Sequence, residues 1–100
     1  MWKVEFESKD VEKKTQELIK KKMITPEDRI VISSWIRQIQ LEGPLSVQGD
    51  KRWSDHELYD EWKGYRSSCF SYSGRIIYKV KDNIVTILIA RITHDHDYRR

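Results

Sequence analysis

Three histidines, His56, His94 and His96, are the side chains of this 100-residue chain best suited to proton transfer near neutrality. Imidazole has an unperturbed pKa of about 6.5 and serves as either acid or base there. Two of the three fall in a carboxy-terminal run that also carries Arg91, Arg99 and Arg100, with Asp95 and Asp97 able to fix an imidazole tautomer. Arginine stays charged and can hold two phosphate oxygens at once, so the set suits acid–base chemistry beside an anion. A further arginine, Arg75, stands at the head of Arg75-Ile76-Ile77-Tyr78. Each residue also has a structural reading: His56 can satisfy a loop, His94 and His96 can belong to a solvated tail, and Arg75 can pair with an acid across a sheet. The spacing His94-x-His96 would aim both imidazoles one way on an extended segment, with Asp95, Asp97 or His56 as further ligands. It lacks the second clustered pair that marks a metal site, so no metal or cofactor is expected. Cys69 reads as a small structural residue.

Positioning these groups falls to a short list of elements. Trp2, Val4 and Phe6 alternate with Lys3, Glu5 and Glu7, which predicts an amphipathic strand. Over residues 10–23, Val11, Leu18, Ile19 and Met23 recur at helical spacing, opposite a face bearing Lys13, Lys14, Lys20, Lys21 and Lys22. Thr25-Pro26-Glu27-Asp28 supplies an N-cap, a first-turn proline and a capping acid for a second helix that runs to about Leu41 and is stopped by Gly43-Pro44. Residues 44–53 read as loop. Residues 65–72 read as a strand without a clean apolar face, 71–74 as a turn in which Gly74 takes the positive φ that a short hairpin demands, and 75–80 as a second strand. A turn at Lys81-Asp82-Asn83 leads into the apolar run Ile84–Ile92. The prediction is a single α+β domain spanning 1–100, with an antiparallel sheet in strand–helix–helix–strand–strand–strand order and the helical hairpin packed on one face.

A content of 38% apolar residues fills one modest core. Four Trp and five Tyr form a heavy aromatic load, divided between core and stacking surface. The net charge of +3 is too small to establish a polyanionic partner. A lone cysteine and the lack of a long apolar run lead to the expectation of a reducing cytoplasm and no membrane association.

Asp55-His56-x-Leu58, then Trp62-Lys63-Gly64-Tyr65-Arg66, Arg75-Ile76-Ile77-Tyr78 and a late Thr93-His94, in this element order, resemble the RelE/ParE superfamily of bacterial type II toxins. Within it the pattern is most similar to YafQ-like and YoeB-like mRNA interferases. The resemblance implies a β-α-α-β-β-β RelE-like fold and a metal-free endoribonuclease that cleaves mRNA in the ribosomal A site, with a cognate antitoxin protein, the ribosome and mRNA as partners. It implies catalytic roles for His56, Arg75 and His94, and an aromatic contact at Tyr98. Arg66, Arg91, His96 and the Lys20-Lys21-Lys22 run are the further RNA-binding candidates. Cys69 stands where YafQ-like sequences carry another histidine, Ser73-Gly74 where they carry Asp-Trp, and Ala90, with Arg91 beside it, where they carry arginine. Arg75 follows the RelE and YoeB pattern instead. Two other functions fit the same fold or composition: a ParE-like toxin that binds gyrase without catalysis, and an RNA-binding module without chemistry.

Overall fold

The computed structural model describes residues 2–92, with side chains up to residue 87. In chain order these form β1 (Lys3–Phe6), α1 (Lys9–Lys20), α2 (Pro26–Glu42), α3 (Pro44–Gln48), β2 (His56–Glu57), β3 (Arg66–Cys69), β4 (Gly74–Lys81) and β5 (Ile84–Ile92). The strands make one sheet in the order β1-β5-β4-β3-β2. β3, β4 and β5 are the expected antiparallel meander. The amino-terminal strand joins it as expected, but parallel to β5, with Lys3 opposite Ile84 and Phe6 opposite Ile87. The sheet is therefore mixed. Parallel neighbours need a long crossover, and everything from α1 to β4 lies between these two. Residues 44–53, read as loop, hold more structure than their composition suggested, α3 and a 3₁₀ turn at Lys51–Trp53, and β2 beyond them runs back antiparallel to β3.

Local chemistry accounts for the helix ends. Ser8 caps α1 by accepting from the Val11 amide at 3.2 Å. The helix ends at Lys20, before the apolar pattern does, because Lys22 turns to a φ of 60°. At α2, the Thr25 hydroxyl accepts from the Asp28 amide at 3.1 Å while the Asp28 carboxylate accepts from the Thr25 amide at 3.0 Å, a complete capping box. Gly43 ends α2 at a φ of 88°, and a Cβ there would meet the Trp2 indole nitrogen at 2.9 Å, so glycine is required on two counts.

Alternation along β4 gives the sheet two different faces. Ile76 and Tyr78 point to the helices and join Trp35, Ile39, Val85 and Ile87 in the main core, with Leu18, Ile19, Val4 and Phe6 packed against it. Full burial of such side chains stabilises by roughly 1.5–3 kcal/mol each. Ile77 points the other way, into a smaller cluster with Leu58 and Trp62. Val11, from the first turn of α1, packs against this second cluster, so the hairpin does not serve one face alone. Between β4 and β5, Asp82 and Asn83 both take positive φ, 52° and 64°, as a two-residue type I′ turn requires.

Candidate functional site

Register determines which chemistry-bearing residues share a face. Directly paired residues in an antiparallel ladder lie on the same face. His56 pairs with Ser67, and Ser67 with Ile77; one row further along, Cys69 pairs with Arg75, and Arg75 with Arg91. His56 and Arg75 thus belong to two adjacent rows on the face away from the main core, and Arg91 is the register partner of Arg75. Arg91 reaches that row only because of a bulge. From Lys81 opposite Ile84 to Tyr78 opposite Ile87 the ladder is regular, but the next pair is Ile77 with Ile89. The extra residue moves every later pairing by one, so that Arg91, not Ala90, stands opposite Arg75. Without the bulge, Ala90 would hold that position.

Arg75 is 5% exposed. Its Nη1 donates to the carbonyl oxygens of Gly74 at 2.9 Å, Tyr72 at 3.2 Å and Ser71 at 3.3 Å, so the side chain folds back onto the β3–β4 turn. The turn is tightened further by the Phe70 amide, which donates to the Gly74 carbonyl at 3.1 Å. Gly74 does not take the positive φ expected of it but begins β4; glycine is needed there for space, because the Phe70 ring lies only 2.4 Å from where its Cβ would sit. Cys69, in the same row, has its thiol pushed up by burial, with Arg75 opposing that shift in part, so the sulfur stays protonated near neutrality.

His56 is exposed at the outer edge of the sheet. Its Nδ1 lies 3.1 Å from the Ser54 carbonyl. A carbonyl only accepts, so this contact assigns the proton to Nδ1 and leaves Nε2 as the basic nitrogen of the neutral ring.

The neighbouring Asp55 is the residue that sequence reading underrated. Ser54 takes a φ of 45°, and this left-handed step precedes a carboxylate whose side chain is 0% exposed. Its Oδ1 accepts from Arg66 Nε at 2.6 Å, and its Oδ2 accepts from the Ser68 and Tyr78 hydroxyls, both at 2.5 Å. The Ser68 oxygen in turn accepts from Trp35 Nε1 at 3.0 Å, and the Trp35 and Tyr78 rings meet edge to face at 5.1 Å. Burial, with the Asp55 carboxylate beside it, raises the Tyr78 phenol above its usual range. For Arg66, burial opposes the charge, but the bond to Asp55 outweighs it and holds the guanidinium above its ordinary value. The sequence signal for this network was the shared parity of Arg66 and Ser68 across from Tyr78.

Of the residues singled out from sequence, the fold places His56 and Arg75 in adjacent rows of one sheet face, with Arg91 at the register position opposite Arg75. Arg66 lies on the helix-facing side and is bound to Asp55. Lys20, Lys21 and Lys22 are exposed at the α1–α2 connection, in the helical layer and not on the sheet face. His94, His96 and Tyr98 lie outside the described residues. Among the described residues no group of three or more His, Cys, Asp or Glu is arranged to hold a metal ion, and no helix is long and apolar enough to cross a membrane.

No protein-family model matches the sequence, and no curated protein does. Solved structures do. The YoeB–YefM complex from Staphylococcus aureus is 17% identical with a TM-score of 0.68, over 94% of this chain and 99% of that one. A copper-bound mutant toxin from Helicobacter pylori is 24% identical with a TM-score of 0.70, over 92% of this chain and 94% of that one. The E. coli DinJ–YafQ toxin–antitoxin complex is 18% identical with a TM-score of 0.63, over 92% of this chain and 93% of that one. Likeness at these identities is likeness of fold, and the chain has the RelE-like fold of the YoeB and YafQ toxins.

Proposed function

We propose that the protein is the toxin of a type II toxin–antitoxin system, a metal-independent endoribonuclease that cuts mRNA in the ribosomal A site. One observation carries the reading: the bulge in β4–β5 puts Arg91 opposite Arg75, in the row next to that of His56. Two arginines at paired register positions concentrate positive charge at one place on the sheet, and an anion bound there offsets it. His56 is two strands from Arg75, about 10 Å laterally at the usual strand spacing, a span that one nucleotide and its phosphate can bridge.

In this reading His56 Nε2 takes the proton of the substrate's 2′-hydroxyl as that oxygen attacks the adjacent phosphorus. The bond from phosphorus to the 5′-oxygen breaks, and the leaving oxygen receives a proton from His94. The products are a 2′,3′-cyclic phosphate and a 5′-hydroxyl. Arg75 and Arg91 stabilise the charge of the phosphorane. A deeply buried guanidinium such as Arg75 acts through a lower dielectric than an exposed lysine, so its field is screened less. His96, Tyr98 and the Lys20–Lys22 run are assigned to RNA contact, the lysines through ribosomal phosphates; Arg66, bound to Asp55 on the helix-facing side, is not. The partners are the ribosome, its message and a cognate antitoxin; YefM and DinJ occupy that place in the complexes of YoeB and YafQ.

A translation extract programmed with a defined message and probed by primer extension tests the proposal. Cuts that appear with the protein, in the presence of a chelator, and disappear on adding the antitoxin are the expected result. Growth arrest with no cut in any message would replace it with the gyrase-binding reading.

A further inference from the structure

Tyr72 is 97% exposed, at the tip of the β3–β4 turn. Exposure alone says little, since much of any folded surface is apolar. What sets Tyr72 apart is the rigidity of the backbone that carries it. The carbonyls of Ser71, Tyr72 and Gly74 all accept from Arg75 Nη1, the Phe70 amide closes the turn onto Gly74, and the Phe70 ring occupies the space beside Gly74. Other tyrosines of the sheet are engaged: Tyr78 donates to Asp55, and Tyr65 donates to Glu7 at 3.0 Å and meets Trp62 edge to face. The turn thus orders the backbone that carries one exposed aromatic ring within three residues of Arg75, next to the row in which Arg75 pairs with Arg91.

We propose that Tyr72 is a stacking platform for a nucleobase next to the scissile phosphate, so that the turn positions the base while the Arg75 row holds the phosphate. The inference rests on the ribonuclease reading and extends it to a residue outside the acid–base set. A rigid ring is the suitable device because a base offers a π-face whatever its identity, and an ordered backbone loses little entropy on stacking.

The test is single-turnover cleavage of ribosomes programmed with a defined message, measured across ribosome concentrations for wild type and three variants. Tyr72→Ala is expected to raise the half-saturating ribosome concentration by about 5- to 100-fold, the range of one lost base stack, with little change in the saturated rate. Tyr72→Trp and Tyr72→Phe should restore wild-type behaviour, whereas Tyr72→Leu, apolar but without a π-face, should not. A purely structural role would move the denaturation midpoint, which is expected to stay fixed because the side chain packs against nothing. Wild-type cleavage by Tyr72→Ala overturns the stacking role and leaves the ribonuclease reading intact; if that variant also loses antitoxin binding, Tyr72 is a protein contact. A wild-type protein that cuts no message overturns both.

Discussion

The two faces of the sheet use the same residue types for opposite ends. On the helix-facing side, the carboxylate of Asp55 gathers Arg66, Ser68 and Tyr78 and is wholly removed from water. On the other side, His56 reaches solvent, and Arg75 holds the register position opposite Arg91. One arginine donates to a carboxylate and the other to turn carbonyls. The difference teaches that strand parity, more than residue type, decides whether a cation in this fold serves stability or chemistry. Variants of Asp55 and its partners should cost stability and spare the reaction; variants of the exposed His56 should do the reverse.

The widest separation between the faces is expected from His56→Gln, and His94→Gln, the proposed acid, should lose cleavage on the same scale. Each should slow cleavage by about 10²–10⁴, the usual contribution of a positioned acid or base, with an unchanged urea midpoint. Loss of stability in His56→Gln would break the comparison. Asp55→Ala is the counterpart on the helix side. It leaves a guanidinium and two hydroxyls without their acceptor, and should cost roughly 3–5 kcal/mol in chemical denaturation, at the lower end because Arg66 retains some access to water. Third is Arg75→Ala, expected to lose about 10²–10³ in cleavage rate, with Arg75→Lys recovering only part, since an ammonium cannot make the two-pronged contact. Both should still bind ribosomes and antitoxin. Cleavage at the wild-type rate by a folded Arg75→Ala would remove the phosphate role.

The smallest effect sharpens the comparison through pH. The Tyr78 phenol is held above its usual range by burial and by Asp55. Above about pH 10, where a free phenol ionises, the unfolded chain has lost a proton that the folded protein keeps. This contribution to stability is therefore complete below that pH and declines as pH rises toward the folded value. Tyr78→Phe should lower stability at neutral pH by about 1 kcal/mol and flatten the alkaline decline. An unchanged decline in Tyr78→Phe would mean that other groups cause it. No change in cleavage is expected.

Much of the frame was legible because it is written in local chemistry. The Thr25 and Asp28 box, the stop at Gly43, the turn before Ile84 and the span of β5 all follow from residues within a few positions of one another. Register was not legible: the bulge that brings Arg91 opposite Arg75 depends on how two strands settle against the core, and no sequence pattern in residues 84–92 announces an extra residue. Asp55 escaped for a similar reason. Its partners lie 11 to 23 positions away, and in sequence it looks like one more acid in a polar stretch. The direction of β1 was equally hidden, since an amphipathic strand reads the same whether it pairs parallel or antiparallel.

That parallel strand has a kinetic consequence. Pairing Lys3 with Ile84 closes a loop of about 80 residues, whereas the helical hairpin and the β4–β5 hairpin close over a few. Distant contacts of this kind form late and slow a fold's completion. Until β1 docks, one side of β5 presents unmatched amide and carbonyl groups, an open template for a strand from another molecule. The last step of folding is therefore also the step at which this protein is most exposed to capture by a neighbouring chain.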